Sequence, residues 1–246
     1  MKRINEETLS LWYMRFFYKI FIAFSFLSPF GMSAQQAFVE GIDSLYREDQ
    51  FYIGFTYNIL AGMPEELNSS GFSWGLHTGF IRDFPINQQR NIAVGAGIGW
   101  SIDTYGHNLF IGENSSENTI FRSLDDAVID YSSNRFTTQT LEIPLQFRWR
   151  SSTAQTYKFW RVYTGLKVGY VYYFRSNFEQ PNNRVRQTDV PEFNRFRTGA
   201  TFTFGYNTFN FYFYYSLNPF FNEEAKINSK EIGMTTFQVG LMFYIL

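Results

Sequence analysis

The chain of 246 residues has no cysteine, which excludes a disulfide framework and any thiolate metal site. Histidine is nearly as scarce. His77 and His107 are the only two, so nucleophile–base catalysis has few candidates for its base. A surplus of charge of one sign is missing as well: 21 Lys and Arg stand against 22 Asp and Glu, a formal net charge of −1. No basic stripe interleaved with aromatics is present, so nucleic acid is not an expected partner. Long apolar runs are confined to one, Ile20 to Met32, shorter than the ~20 residues that a spanning helix needs. Arg15 and Lys19 precede it and Gly31, Ser33 and Ala34 follow. That order of charged, apolar and small residues predicts a secretory signal over residues 1–34, with a compact alternative start at Met14. Residues 35–50 read as a short periplasmic lead-in.

What the chain has in excess is aromatic side chain: 30 Phe, 17 Tyr and 5 Trp make 21% of it. The mean hydropathy is nevertheless slightly negative. Both follow if only every second residue meets an apolar medium, as in a transmembrane β-barrel. The clearest case runs from Phe196 to Leu217. Phe196, Thr198, Ala200, Phe202, Phe204 and Tyr206 alternate with Arg197, Gly199, Thr201, Thr203 and Gly205. After a tight turn at Asn207, Phe209, Phe211, Phe213, Tyr215 and Leu217 alternate with Asn210, Tyr212, Tyr214 and Ser216. Successive side chains of a strand point to opposite faces, so each strand has one apolar and one polar face.

Six further segments alternate in the same way: 51–63, 72–84, 92–104, 138–150, 159–174 and 236–246. Pro144 falls on a polar face and is tolerable only at a bulge or a local break in the ladder. Short connections (83–90, 151–158 and around Asn207) largely alternate with longer polar ones (106–137, 176–194 and 219–235); 64–70 is a short exception. This predicts an all-β protein whose residues 51–246 form an eight-stranded antiparallel transmembrane β-barrel of the outer-membrane type, both termini on the periplasmic side. A soluble sandwich or lipocalin-like barrel would turn the aromatic face inward. The signal segment, the glycines on the polar face and the bulk of the aromatics favour the membrane.

Inward-facing positions carry His77, Asp103, Glu142, Arg148, Arg161, Lys167, Arg195, Arg197 and Gln238. An eight-stranded bore has room for side chains but not for solutes. A plug of mutually paired charges is the expectation; a basic conduit for a small anion or a polypeptide segment is the sharper alternative. Lipid or a partner is expected against Phe202, Phe204, Phe209, Phe211, Phe213, Tyr215, Phe237 and Phe243. His77 has no serine at a neighbouring same-face position, and His107 opens a loop, so no catalytic site, cofactor, metal or small-molecule substrate is expected. The acidic residues of the 106–137 loop lack the D-x-D-x-D-G spacing of a calcium loop. Its apolar members Leu109, Phe110, Ile111, Ile120 and Phe121 predict packing on itself or on a partner. In the lead-in, Phe38, Ile42 and Leu45 fit a short amphipathic helix, a lid or a docking element. Asp43-Ser44-Leu45 resembles an O-glycosylation site of Bacteroidetes envelope proteins.

The run from Arg197 to Tyr212, continued by Tyr215-Ser216-Leu217-Asn218-Pro219-Phe220-Phe221, resembles the PorT family, as does the less specific Leu141-Glu142-Ile143-Pro144-Leu145. The likeness extends over roughly residues 50–246. It implies an outer-membrane component of the type IX (Por) secretion system of Bacteroidetes, needed for export of proteins with C-terminal sorting domains. It implies no enzymatic residues, and it implies larger secretion-system membrane proteins as partners. The alternative function is a small porin-like or adhesion barrel working through its extracellular loops.

Overall fold

The computed structural model describes residues 49–124, 130–151 and 159–245. The signal segment, nearly all of the lead-in with Phe38, Ile42, Asp43 and Leu45, the acidic pair Asp125 and Asp126, and residues 152–158 lie outside the described residues.

Three strands open the fold: β1 (Gln50–Ala61), β2 (Trp74–Pro85) and β3 (Ile92–Gly106). The next connection holds a small hairpin, β4 (Leu109–Glu113) and β5 (Thr119–Ser123). Then come the longest strands, β6 (Ser133–Arg150) and β7 (Trp160–Gln180), with β8 (Asn183–Gln187) folding back on the end of β7. Strands β9 (Phe196–Tyr206) and β10 (Phe209–Ser216), the two-residue ribbons β11 (Lys226–Ile227) and β12 (Lys230–Glu231), and β13 (Thr235–Ile245) complete the chain. Eight of these close into a barrel in the order β1-β2-β3-β6-β7-β9-β10-β13, with β13 pairing back to β1 from Ala61↔Thr235 to Phe51↔Ile245. Closure leaves no unpaired edge, which is the condition for strands to cross a hydrocarbon layer.

Three local features set the register. Asn207 takes a left-handed conformation (φ 56°) in the tight turn between β9 and β10, a conformation that asparagine tolerates better than most residues. At Pro144 the ladder to β3 is interrupted: pairing holds at Ala96↔Leu145 and again at Gly99↔Glu142, but not between. A proline has no N–H to give there. On the other side of β6, the register to β7 shifts between Gln139 and Thr140, which face Tyr173 and Val171. The extra residue, Tyr172, flips the faces of everything beyond it. Strict alternation from Trp160 would turn Phe174 outward; beyond the bulge it is buried instead.

The long connections are not simply polar. They fold over one end of the barrel as a cap whose core joins Leu60, Leu67, Tyr105, Leu109, Ile111, Phe136, Phe174, Val190, Phe193, Phe220, Phe221, Ile227, Ile232 and Met234. Of the loop residues singled out from the sequence, Leu109 and Ile111 lie in this core. Phe110 packs edge-on to Phe178 and Phe121 to Phe221, at 5.1 and 5.6 Å between ring centroids.

Candidate functional site: a filled bore and an aromatic wall

Below the cap the inward faces stack in layers. The first is polar and ionised. Asp103 accepts hydrogen bonds from Asn58 Nδ2 (3.0 Å) and Gln238 Nε2 (2.9 Å). The Ser101 hydroxyl lies between the Asp103 and Glu142 carboxylates, at 3.1 and 2.9 Å. Glu142 in turn pairs with Lys167 Nζ at 3.0 Å. His77 Nε2 sits 3.0 Å from Thr56 Oγ1 and 3.6 Å from Asp103 Oδ1. Arg197 donates to Ser216 Oγ (2.6 Å) and to the Pro219 carbonyl, its guanidinium 4.1 Å above the ring of Phe220. Glu142 is thus paired with a cation, and hydrogen bonds take up much of the remaining capacity of both carboxylates and of Arg197, the arrangement that makes buried charge tolerable.

The second layer is aromatic: Tyr52, Tyr163, Tyr212, Tyr214 and Tyr244 with Ile81 and Met242. Lys167 Nζ lies 4.5 Å over the ring of Tyr214, tying the two layers together. Glycines on nearby strands make the space for these rings. A Cβ on Gly199 would stand 2.1 Å from the ring of Tyr214, and one on Gly99 would stand 2.0 Å from the Tyr52 hydroxyl.

The third layer closes the short-turn end. Asp83 grips Arg148 Nη1 with one carboxylate oxygen (2.8 Å) and Arg150 Nη1 with the other (2.7 Å), all three side chains being 0% exposed. Arg148 also donates to Gln50 and lies 4.2 Å over Tyr163. Arg150 donates twice to the Arg90 carbonyl, at 3.0 and 2.7 Å. Arg161, buried beside them, stacks 4.3 Å from Phe159. The interior gap among Asp103, Glu142, Lys167 and Arg197 has a volume of about 30 Å³, which corresponds to a water or two.

His77, Asp103, Glu142, Lys167, Arg197 and Gln238 therefore share one layer, while Arg148 and Arg161 lie deeper, at the short-turn end. Arg195 is in neither. It precedes β9, its carbonyl accepts from the Val171 N–H (2.8 Å), and its half-buried guanidinium reaches the Val171 carbonyl at 3.4 Å. Sequence reasoning missed Asp83, assigning it to a turn. Its parity with His77 and Ile81 along β2 was the available signal.

On the outer wall, Phe202, Phe204, Phe209, Phe211 and Tyr215 are exposed. Phe213, Phe237 and Phe243 are half-buried because neighbouring rings cover them: Phe204 and Phe237 stack on Phe213 at 6.3 and 6.4 Å, and Phe209 meets Phe243 edge-on at 5.7 Å.

A closed barrel with an aromatic exterior and an ionised, filled interior is a transmembrane β-barrel. The model of the outer membrane protein beta-barrel domain family matches residues 33–222, and the chain belongs to that family; it is an outer-membrane protein. No curated protein sequence matches the chain significantly. Among solved structures, a mutant porin of Rh. blastica is 8% identical over 81% of this chain and all of its own, with a TM-score of 0.20. A second, from work on the asymmetric conductivity of engineered proteins, has the same identity and TM-score over 81% of this chain and 99% of its own. Similarity at that level carries no argument about this barrel.

Proposed function

We propose that this barrel is a non-enzymatic component of the type IX (Por) secretion system, supporting export of proteins with C-terminal sorting domains through contact with larger translocon parts or their assembly. The observation that carries this reading is the filled bore. A barrel with a 30 Å³ interior gap has no path for cargo, so a role in export must run through its surfaces. The resemblance of the β9–β10 hairpin to the PorT family supplies the system. The stacked phenylalanines of β9, β10 and β13 supply a rigid apolar face suited to another membrane protein as well as to lipid. In this reading the termini and short turns face the periplasm and the cap faces outward.

Deletion of the gene with complementation tests the reading. Loss of secreted protease or of gliding, with an intact envelope, is the expected result. A defect confined to adhesion would favour the alternative, a barrel working through its cap. Recovery of a lone monomer, with no large barrel partner, after extraction in mild detergent would count against the contact mechanism.

A further inference from the structure

The outer wall over β3, β6 and β7 differs from the phenylalanine face on the opposite side of the barrel. Its outward residues form rows that register fixes across strands. Trp100, Leu141, Tyr170 and Phe196 form one row, and Ile98, Ile143 and Val168 lie beneath it. These residues line an apolar groove of about 770 Å³, within the ~300–1,000 Å³ range of ligand clefts. The groove covers the seam where Pro144 interrupts the β3–β6 ladder.

The next row toward the cap is polar and held in place. Trp100 Nε1 donates to Tyr172 Oη (2.8 Å), and Tyr172 Oη donates to Gln139 Oε1 (2.6 Å). Above it, Arg175 stands opposite Thr137, and the row after that runs Arg135–Asn177–Arg186. These three arginines are exposed, and none is within ion-pair distance of a carboxylate among the described residues. Arg184, one row further, is paired with Glu179. The Arg175 row lies four residues beyond Leu141 on β6, about 13 Å along the strand and roughly 10 Å in height after strand tilt. Measured from the Leu141 row, that rise is comparable to the depth of one headgroup layer, about 5–8 Å.

We propose that this wall binds an anionic, phosphate-bearing, multiply acylated glycolipid, its acyl chains in the groove and its phosphates on Arg135, Arg175 and Arg186. Guanidinium forks match phosphate oxygens bidentately. The height of the arginines above the groove suits a sugar-borne phosphate better than one placed directly beside acyl chains. The site is a property of the barrel wall and does not depend on the secretion role or on which way the barrel faces.

The test uses the full mature protein in neutral detergent micelles, where orientation is irrelevant, with retained lipid counted by native mass spectrometry. Probes are a bisphosphorylated acylated glucosamine disaccharide, the same lipid after phosphatase treatment, phosphatidylglycerol, and inorganic phosphate. At about fivefold per cation at an anionic lipid surface, the triple variant R135A/R175A/R186A should bind the phosphorylated glycolipid about a hundredfold more weakly. The control Arg82→Ala, at the short-turn end, should bind as the wild type does. Ile98→Trp, which fills the groove, should weaken retention with all three arginines intact. On the wild-type protein, phosphatase treatment should weaken binding, a comparison that needs no variant to fold. Equal binding by the triple variant, equal binding of the dephosphorylated lipid, or unchanged retention by Ile98→Trp would overturn the proposal. So would binding of phosphatidylglycerol or of inorganic phosphate as tight as that of the glycolipid.

Discussion

Replacing Asp83 with asparagine tests whether the short-turn end is held by buried charge. The substitution keeps the size and shape of the side chain and removes a carboxylate that contacts both Arg148 and Arg150. At an effective dielectric near 20, each contact is worth about 4 kcal/mol of Coulomb energy before the repulsion between the two guanidiniums is subtracted. Breaking a buried pair by removing one partner typically destabilises by about 3–5 kcal/mol. Here the arginines keep other partners, Gln50 and Tyr163 for Arg148 and the Arg90 carbonyl for Arg150. The loss should therefore lie near the lower end, at about 3 kcal/mol. Reversible urea unfolding in phospholipid bilayers, followed by heat-modifiable gel mobility, gives the free energy directly. A cycle with Arg150→Gln isolates the pair, and a coupling of at least ~1.5 kcal/mol is expected from groups sharing one buried network. A D83N barrel within about 0.5 kcal/mol of wild type, the range of an ordinary surface substitution, would refute the reasoning. It would mean that water solvates this cluster from the short-turn side.

Three other outcomes follow from the same packing. Gly199→Ala places a methyl group against the Tyr214 ring and should cost about 1–3 kcal/mol by overpacking, with partial rescue by Tyr214→Leu in the same unfolding assay. In planar bilayers the wild-type barrel should show no steady ion conductance, and stable open steps would contradict a filled bore. His107 gives the cap a pH dependence. Burial lowers its pKa from 6.5 to about 3, and the Leu109 N–H donates to Nδ1 at 3.1 Å, which leaves the ring proton on Nε2. Above pH ~6.5 the ring is neutral whether folded or not. As pH falls from 6.5 toward 3 only the unfolded ring takes up a proton, so the cap loses about 1.4 kcal/mol per pH unit in that window. Limited proteolysis of the cap should accelerate at pH 5 relative to pH 7.5 in the wild type, and much less so in His107→Asn.

The barrel was legible because its information is local: period-two alternation in eight segments names the faces, and turn lengths name the order. Parity alone then turns Asp103, Glu142 and Lys167 into one bore although they come from three different strands; that they share a layer follows from the register. Parity fails where the strand itself ends or slips. Arg195 shares parity with Arg197, but β9 starts between them, so one side chain enters the bore and the other bends to a rim carbonyl. Asp83 failed in the opposite sense, because β2 runs on to Pro85, past the point where the aromatic pattern thins out.

The cap shows why the remainder was illegible. Its core draws Leu60 from β1, Phe136 from β6, Phe174 from β7 and Phe193, Phe220 and Met234 from three separate stretches of connection. No window of the sequence contains a repeat that relates these positions, since each contributes one or two side chains to a cluster assembled only after closure. The bulge at Tyr172 is the hinge between the two regimes. It ends the outward series at the hydrogen-bonded Trp100–Tyr172–Gln139 row and turns Phe174 inward to meet Phe136 and Phe193, at ring separations of 5.6 and 4.2 Å. One inserted residue thus sets the upper limit of the apolar wall and fixes a ring of the cap beside it. Deleting Tyr172 would close the bulge and leave Phe174 facing inward and Arg175 outward, so the cap and the arginine rows should both survive it while the Trp100–Tyr172–Gln139 hydrogen bonds are lost.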